Sequence, residues 1–319
     1  MIATLKSRSC GGISSLSILL FGISFIEAIS IIFIEIYTLA LTNFDNSVLN
    51  VYLSVFILSR IFQVILVFDA IRNKNTIQLI GLCIFSLVCF GYSVIQIKQV
   101  SKSEDNPNKG REPANVGPPL IIVSFLLAMV TTFYSFISYK LYKEYGWEIY
   151  KKIGADTQMK RMYLHYQIFV LLLKLGVFFF MGFSLQFLVL VLTASDPEFW
   201  LNIIAFPITL LILVVAVYGV RYENRNLMYI FISGLSLAAV YFVYKIVMIY
   251  KPGDTRYDDK QNGLTMFASM TLISLILTAL QAYVCYCNFG HGLSEHIKKS
   301  NKVEYLTHSP TRNLNLGDD

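Results

Sequence analysis

Charge is scarce in this chain. Only 14% of its 319 residues are Asp, Glu, Lys or Arg, where soluble domains carry about 25%. Long polar stretches are missing too. The largest are 98–117, 143–162 and 289–319, each well below the roughly 50 residues that a folded domain needs. These two absences exclude a soluble kinase, nucleotide-binding or hydrolase domain. Three motifs that would announce chemistry are also lacking: the zinc-protease HExxH, the phosphate-cradling GxxxxGK[ST] and the nucleophile elbow GxSxG. No N-x-S/T sequon falls in a predicted exoplasmic loop. Five cysteines, Cys10, Cys83, Cys89, Cys285 and Cys287, do not make a disulfide framework. No internal repeat is strong enough to argue inverted-repeat symmetry, which weakens a transporter reading built on such repeats.

What is abundant is apolar. The hydrophobic fraction is 55% and the mean hydropathy +0.60, and the excess falls into runs long enough to cross a hydrocarbon core of about 30 Å. Eight spans are predicted, over 13–42, 48–71, 76–97, 119–141, 163–193, 201–220, 226–249 and 264–288. Backbone groups in lipid must be satisfied internally, so each span reads as helix. The fold class is an all-α polytopic transmembrane bundle, with seven spans as the alternative count. The first run is longer than a signal-peptide core of about 7–15 residues and contains no small-residue cleavage site, so it reads as a retained anchor.

Orientation follows from Lys and Arg. Sixteen of the 26 lie on the side that carries the N-terminus and seven on the other, with Arg60, Lys174 and Lys245 inside spans. Both termini are therefore expected in the cytosol, with a tail from 289 to 319 and an N-terminal segment over 1–12. The net charge of +6 suits an anionic cytoplasmic leaflet and calls for no nucleic acid. Four of the eight prolines fall in the loop 101–119, which reads as irregular.

Ionisable side chains at membrane depth cost at least about 2.5–3.5 kcal/mol each, so each needs a partner or a task. Glu27 and Arg60 lie near the middle of spans 1 and 2, which form an antiparallel hairpin, and arrive at similar depth. They form either a gating or proton-coupling pair or a static buried ion pair that specifies packing. Glu35 sits about 80° round the same helix from Glu27 and matches the depth of Lys245, which could equally snorkel to the interface. Asp69 is expected near the interface beside Arg72. Lys174 lies deep in span 5 with Gln167 seven residues before it, giving a polar stripe in a phenylalanine-rich helix. It either binds an anionic substrate or headgroup, or is bonded to carboxylates or carbonyls within the bundle.

Further signals are weaker. Ser24-x-x-x-Ala28 and Gly234-x-x-x-Ala238 mark helix contacts, and Pro207 is expected to kink span 6. Cys285 and Cys287 are candidates for S-palmitoylation. With His291 and His296 they form C-x-C-x3-H-x4-H, which matches no standard zinc spacing, and no metal or cofactor is implied. Ser309-Pro310-Thr311-Arg312 suits a proline-directed kinase in a tail expected to be disordered.

The stretch 143–162 reads as a basic amphipathic segment lying on the membrane surface and running into span 5. Its residues Gly146-Trp147-Glu148-Ile149-Tyr150-Lys151-Lys152-Ile153-Gly154-Ala155-Asp156 and Arg161-Met162-Tyr163, with Gln186-Phe187 and the closing Asn288-Phe289-Gly290-His291-Gly292-Leu293, resemble a family. It is that of the fungal multi-pass Golgi apparatus membrane proteins of unknown function. The resemblance covers most of 140–300. It implies a Golgi membrane location and a fungal source, and supplies no activity, substrate or catalytic residue. The leading expectation is a trafficking, scaffold or cargo-handling protein, embedded in the lipid bilayer and meeting cytosolic partners through 143–162 and 289–319. The alternative is a carrier or channel using the charges of spans 1, 2 and 5. An enzyme ranks below both.

Overall fold

A computed structural model describes residues 14–41, 47–104, 117–153, 157–192, 197–251 and 261–290. It contains eight helices: α1 (Ser15–Leu41), α2 (Ser47–Arg72), α3 (Thr76–Glu104), α4 (Gly117–Ile153), α5 (Thr157–Leu190), α6 (Pro197–Arg221), α7 (Arg225–Ile249) and α8 (Gln261–Cys287). All eight are long and apolar enough to cross a membrane, as the sequence predicts. Among the described residues there is no strand. The protein is an all-α, eight-span membrane bundle.

The helices pack as two rings of four. In the first, α1 packs on α2 and α4, and α3 on α2 and α4; in the second, α5 packs on α6 and α8, and α7 on α6 and α8. The rings meet where α2 and α3 touch α5 and α3 touches α8. Glycines sit at this seam because the helices approach closely there. A Cβ at Gly81 of α3 would lie 2.5 Å from the Leu171 side chain of α5, and one at Gly263 of α8 would lie 2.5 Å from the Tyr52 ring of α2. Aromatic rings fill the seam: Phe178 stands edge-on to Phe85, with centroids 4.9 Å apart, and Tyr92 edge-on to Phe267 at 5.2 Å.

The helix ends depart from the predicted spans in one important place. The stretch 143–162 is not a separate surface segment. Apart from 154–156 it continues α4 and α5, which run 37 and 34 residues. Once a helix is nucleated each further residue adds a hydrogen bond, and no proline interrupts the stretch. Buried Tyr145, Met159 and Met162 give it an inward face. Ser17 of α1 hydrogen-bonds the Tyr145 hydroxyl at 2.7 Å, and Lys74, in the α2–α3 turn, pairs with Glu148 at 2.7 Å. These contacts mark where the other helices of the first ring end.

Local signals behave unevenly. Asn224 caps α7, its side chain accepting from the backbone of Asn226 and Leu227, as an Asx N-cap does. α6 runs through Pro207 as one helix. Ser24 and Ala28 are buried, as their small-residue spacing predicts. A Cβ added at Gly234 would meet nothing within 4 Å among the described residues, so this glycine does not mark a close helix approach there. The C-terminal tail beyond Gly290, with His291, His296 and Ser309–Arg312, lies outside the described residues, as do the N-terminal segment with Cys10 and most of the loop 101–119.

Candidate intramembrane polar site

Three helices of the first ring each bring a polar side chain to one point at the middle of the membrane core. Glu27 lies on α1, Arg60 and Gln63 on α2, and Tyr134 near the middle of α4. Arg60 Nη1 donates to Glu27 Oε1 at 2.8 Å, so the predicted pair forms. Gln63 Nε2 donates to Glu27 Oε2 at 2.8 Å and lies 2.9 Å from the Tyr134 hydroxyl. That hydroxyl also donates to Glu27 Oε2. Arg60 Nε reaches Ser59 Oγ at 3.2 Å. Glu27 is 3% exposed, Gln63 1%, and Arg60 and Tyr134 0%. The α1–α2 hairpin sets the depth. The spacing of Gln63, three residues after Arg60, puts both on one face. A buried carboxylate held by a guanidinium, an amide and a phenol is paired and hydrogen-bonded, which is what burial of charge requires.

Arg60 Nη2 has no hydrogen-bond partner. Glu35, about two turns further along α1, is 0% exposed, and neither of its carboxyl oxygens accepts a hydrogen bond. It is not bonded to Lys245. Equal depth does not bring the two together, because α1 and α7 belong to different rings. Lys245 is buried over the Phe187 ring, 4.4 Å from its centroid, rather than snorkelling outward.

Lys174 is paired too. Its Nζ meets Asp69 Oδ2, and Asp69 also accepts from Asn73 Nδ2 at 2.9 Å and from Gln78 Nε2. Both side chains are about a third exposed, at 32% and 31%. Asp69 is three residues from the end of α2, so Lys174 stands near the level where α2 ends, although it is 17 residues into α5. The reason is that α5 begins at Thr157 and runs on past the end of α2. Gln167 is buried two turns away on α5 and takes no part in this pair. Cys285 is buried, and Cys287 is exposed.

Neutral polar side chains escape an inventory of charges. Gln63 and Tyr134 complete the Glu27 site. Gln186, 0% exposed, donates to the Tyr92 hydroxyl at 3.0 Å, while its Oε1 has no partner. A tyrosine in mid-span, away from the interfacial belts where tyrosine collects, is the signal that would have found Tyr134. A void of about 10 Å³, room for one water, remains at the seam between Ser59, Cys89, Tyr92, Phe178 and Phe267.

The second ring differs, and comparison with known proteins points to it. A family described as a domain of unknown function, DUF7789, matches residues 153–289, which are α5 to α8. A UPF0658 Golgi apparatus membrane protein of Schizosaccharomyces pombe is 30% identical over 287 residues, covering 80% of each chain. No solved structure matches the chain.

Proposed function

We propose, for a chain that belongs to the UPF0658 family of Golgi apparatus membrane proteins, a trafficking or scaffold role exercised from its basic face. That face is where α2, α4, α6 and α8 end, and in this reading it looks into the cytosol with both chain termini, residues 1–12 and 289–319. The lysine and arginine asymmetry supports the orientation. Residues 13–288 form the anchoring bundle.

The observation that carries the reading is the extension of α4 and α5 beyond the other helices. Asp69 has three residues of α2 beyond it, whereas its partner Lys174 has 17 residues of α5 beyond it on the same side. At 1.5 Å per residue α5 overhangs α2 by about 20 Å. The overhang is braced by the second ring: Arg221 Nε donates to the Tyr166 hydroxyl at 2.9 Å, and Gln281 Nε2 meets His165 at 2.7 Å. α4 bears an exposed, stacked Trp147–Tyr150 pair, and Lys140 and Lys143 lie over the Phe136 and Tyr139 rings. With Lys151, Lys152, Lys160 and Arg161 nearby in sequence, the two extensions offer aromatic and basic groups at one face. A cytosolic trafficking partner with an acidic surface would read such a face. Exposed Cys287 is the palmitoylation candidate at the same face.

Trp147→Ala with Tyr150→Ala, and separately Lys151→Gln with Lys152→Gln, test the reading in the full chain. The expected result is loss of Golgi residence with expression and thermal stability unchanged. Intact residence in both, with Lys174→Gln abolishing the cellular phenotype of a well-folded protein, would favour the carrier or channel instead. One observation favours that second reading: Glu35, a buried carboxyl with no hydrogen-bond partner.

A further inference from the structure

The core of the first ring holds one guanidinium and two carboxyls. Arg60 is committed to Glu27, and both atoms of that pair are shielded from solvent. Glu35 is equally buried, yet neither oxygen has a hydrogen-bond partner and no ion pair reaches it among the described residues. An ionised carboxylate cannot stay in such a place without a compensating cation or donor. The titratable and charged groups around this core are Glu27 on α1, Arg60 and Tyr52 on α2, Cys89 and Tyr92 on α3, and Tyr134 on α4 at the depth of Glu27. Arg60 is the cation among them.

We propose that Glu35 is a proton-binding site of the membrane core: its carboxyl carries a proton while Arg60 holds Glu27, and gives it up when the guanidinium turns to Glu35. The structure supplies the parts. Arg60 Nη2 is unpartnered and is the donor free to turn. In the step the Glu35 O–H bond breaks and its proton passes to water, the carboxylate left behind takes Arg60 as its counter-ion, and Glu27, having lost that counter-ion, takes up a proton in turn. Two acids compete for one base, so the protonation of one depends on the charge of the other. The inference is independent of the trafficking role, since it concerns the first ring and the surface of the α4 and α5 extensions plays no part in it.

The test uses the purified full-length chain in lipid vesicles, read by infrared spectroscopy and by labelling with a hydrophobic carbodiimide, which attacks protonated carboxyls in apolar surroundings. The wild type is expected to show a protonated-carboxyl C=O band that shifts in D2O, and to take up the label at Glu35. Glu35→Gln should lose the band and the label. Glu27→Gln should lose both as well, because it frees Arg60 to pair with Glu35. If Glu35→Gln does not fold, Glu35→Asp keeps a carboxyl and should move the band. A band that survives Glu35→Gln, or is unmoved by Glu35→Asp, would overturn the proposal. So would a carbodiimide adduct at Glu27 in the wild type, or a band abolished by sodium or potassium ions at constant pH.

Discussion

The two rings of this protein solve the same packing problem with different chemistry. In the first, α1 to α4 are cross-linked by hydrogen bonds at several depths. Glu27 gathers Arg60, Gln63 and Tyr134; Ser86 meets Thr131 at 2.6 Å; Ser124 donates to Ser93 at 2.9 Å; Ser17 meets Tyr145 at 2.7 Å. In the second, the centre is Phe169, Leu173, Phe231, Leu235 and Ala282, with polar contacts such as Arg221–Tyr166 nearer the helix ends. Helix association in lipid gains little from apolarity alone, since lipid tails are as apolar as leucine. The first ring therefore gets its register from polar pairs that only one arrangement satisfies, and the second from the fit of shapes. α6 and α7 show the consequence. Many of their large apolar side chains, such as Leu211, Val214, Tyr229 and Leu237, point outward, as side chains facing lipid do.

This contrast is breakable, and the largest effect belongs to the polar lock. Arg60→Ala leaves Glu27 buried without its cation, an imbalance that costs about 3–5 kcal/mol. Denaturation in mild detergent should show it, and Arg60→Ala combined with Glu27→Leu should recover part of the loss. Next comes the seam. Gly263→Leu would drive a side chain into the Tyr52 ring and cost about 1–3 kcal/mol by overpacking. A crosslink between cysteines placed on α2 and α8 should then form more slowly, because the rings are pushed apart. Tyr134→Phe removes one donor from Glu27 while Arg60 and Gln63 remain, so a loss of about 0.6–1.7 kcal/mol is expected, read by the same unfolding assay. Lys174→Gln should be the mildest. Its ion pair with Asp69 is a third exposed, and such pairs contribute under about 1 kcal/mol. A large loss there would mean that the pair is shielded from screening.

Some of this arrangement is legible in the chain before any coordinates. The eight helices follow from hydropathy because the bilayer leaves no other structure open. The Glu27–Arg60 pair follows because a short hairpin forces equal depth on its two arms. The same reasoning fails for Glu35 and Lys245, since depth says nothing of which ring a helix joins. It fails again for Lys174, whose partner Asp69 is found only when α5 is known to extend past the end of α2. Apolar runs end where the lipid ends, but helices need not, and the long α4 and α5 are the result. Gln63, Tyr134 and Gln186 stay hidden for another reason. Neutral polar side chains are common in spans, and nothing in composition separates one that completes a site from one that merely packs.

The central claim is that the Glu27–Arg60 site is closed to bulk solvent and that the exposed working surface is the extension of α4 and α5 beyond the other helices. Thiol accessibility tests it most directly, in a background where the five native cysteines are replaced. Ser24→Cys and Ser59→Cys flank the Glu27–Arg60 pair without removing either charge, and both serines are buried. Trp147→Cys samples the α4 extension. The account predicts that a membrane-impermeant thiol reagent applied from the cytosol labels position 147 and leaves positions 24 and 59 untouched in folded, Golgi-resident protein. Labelling at both 24 and 59 would contradict it, exposing a solvated pathway through the first ring and making the protein a carrier.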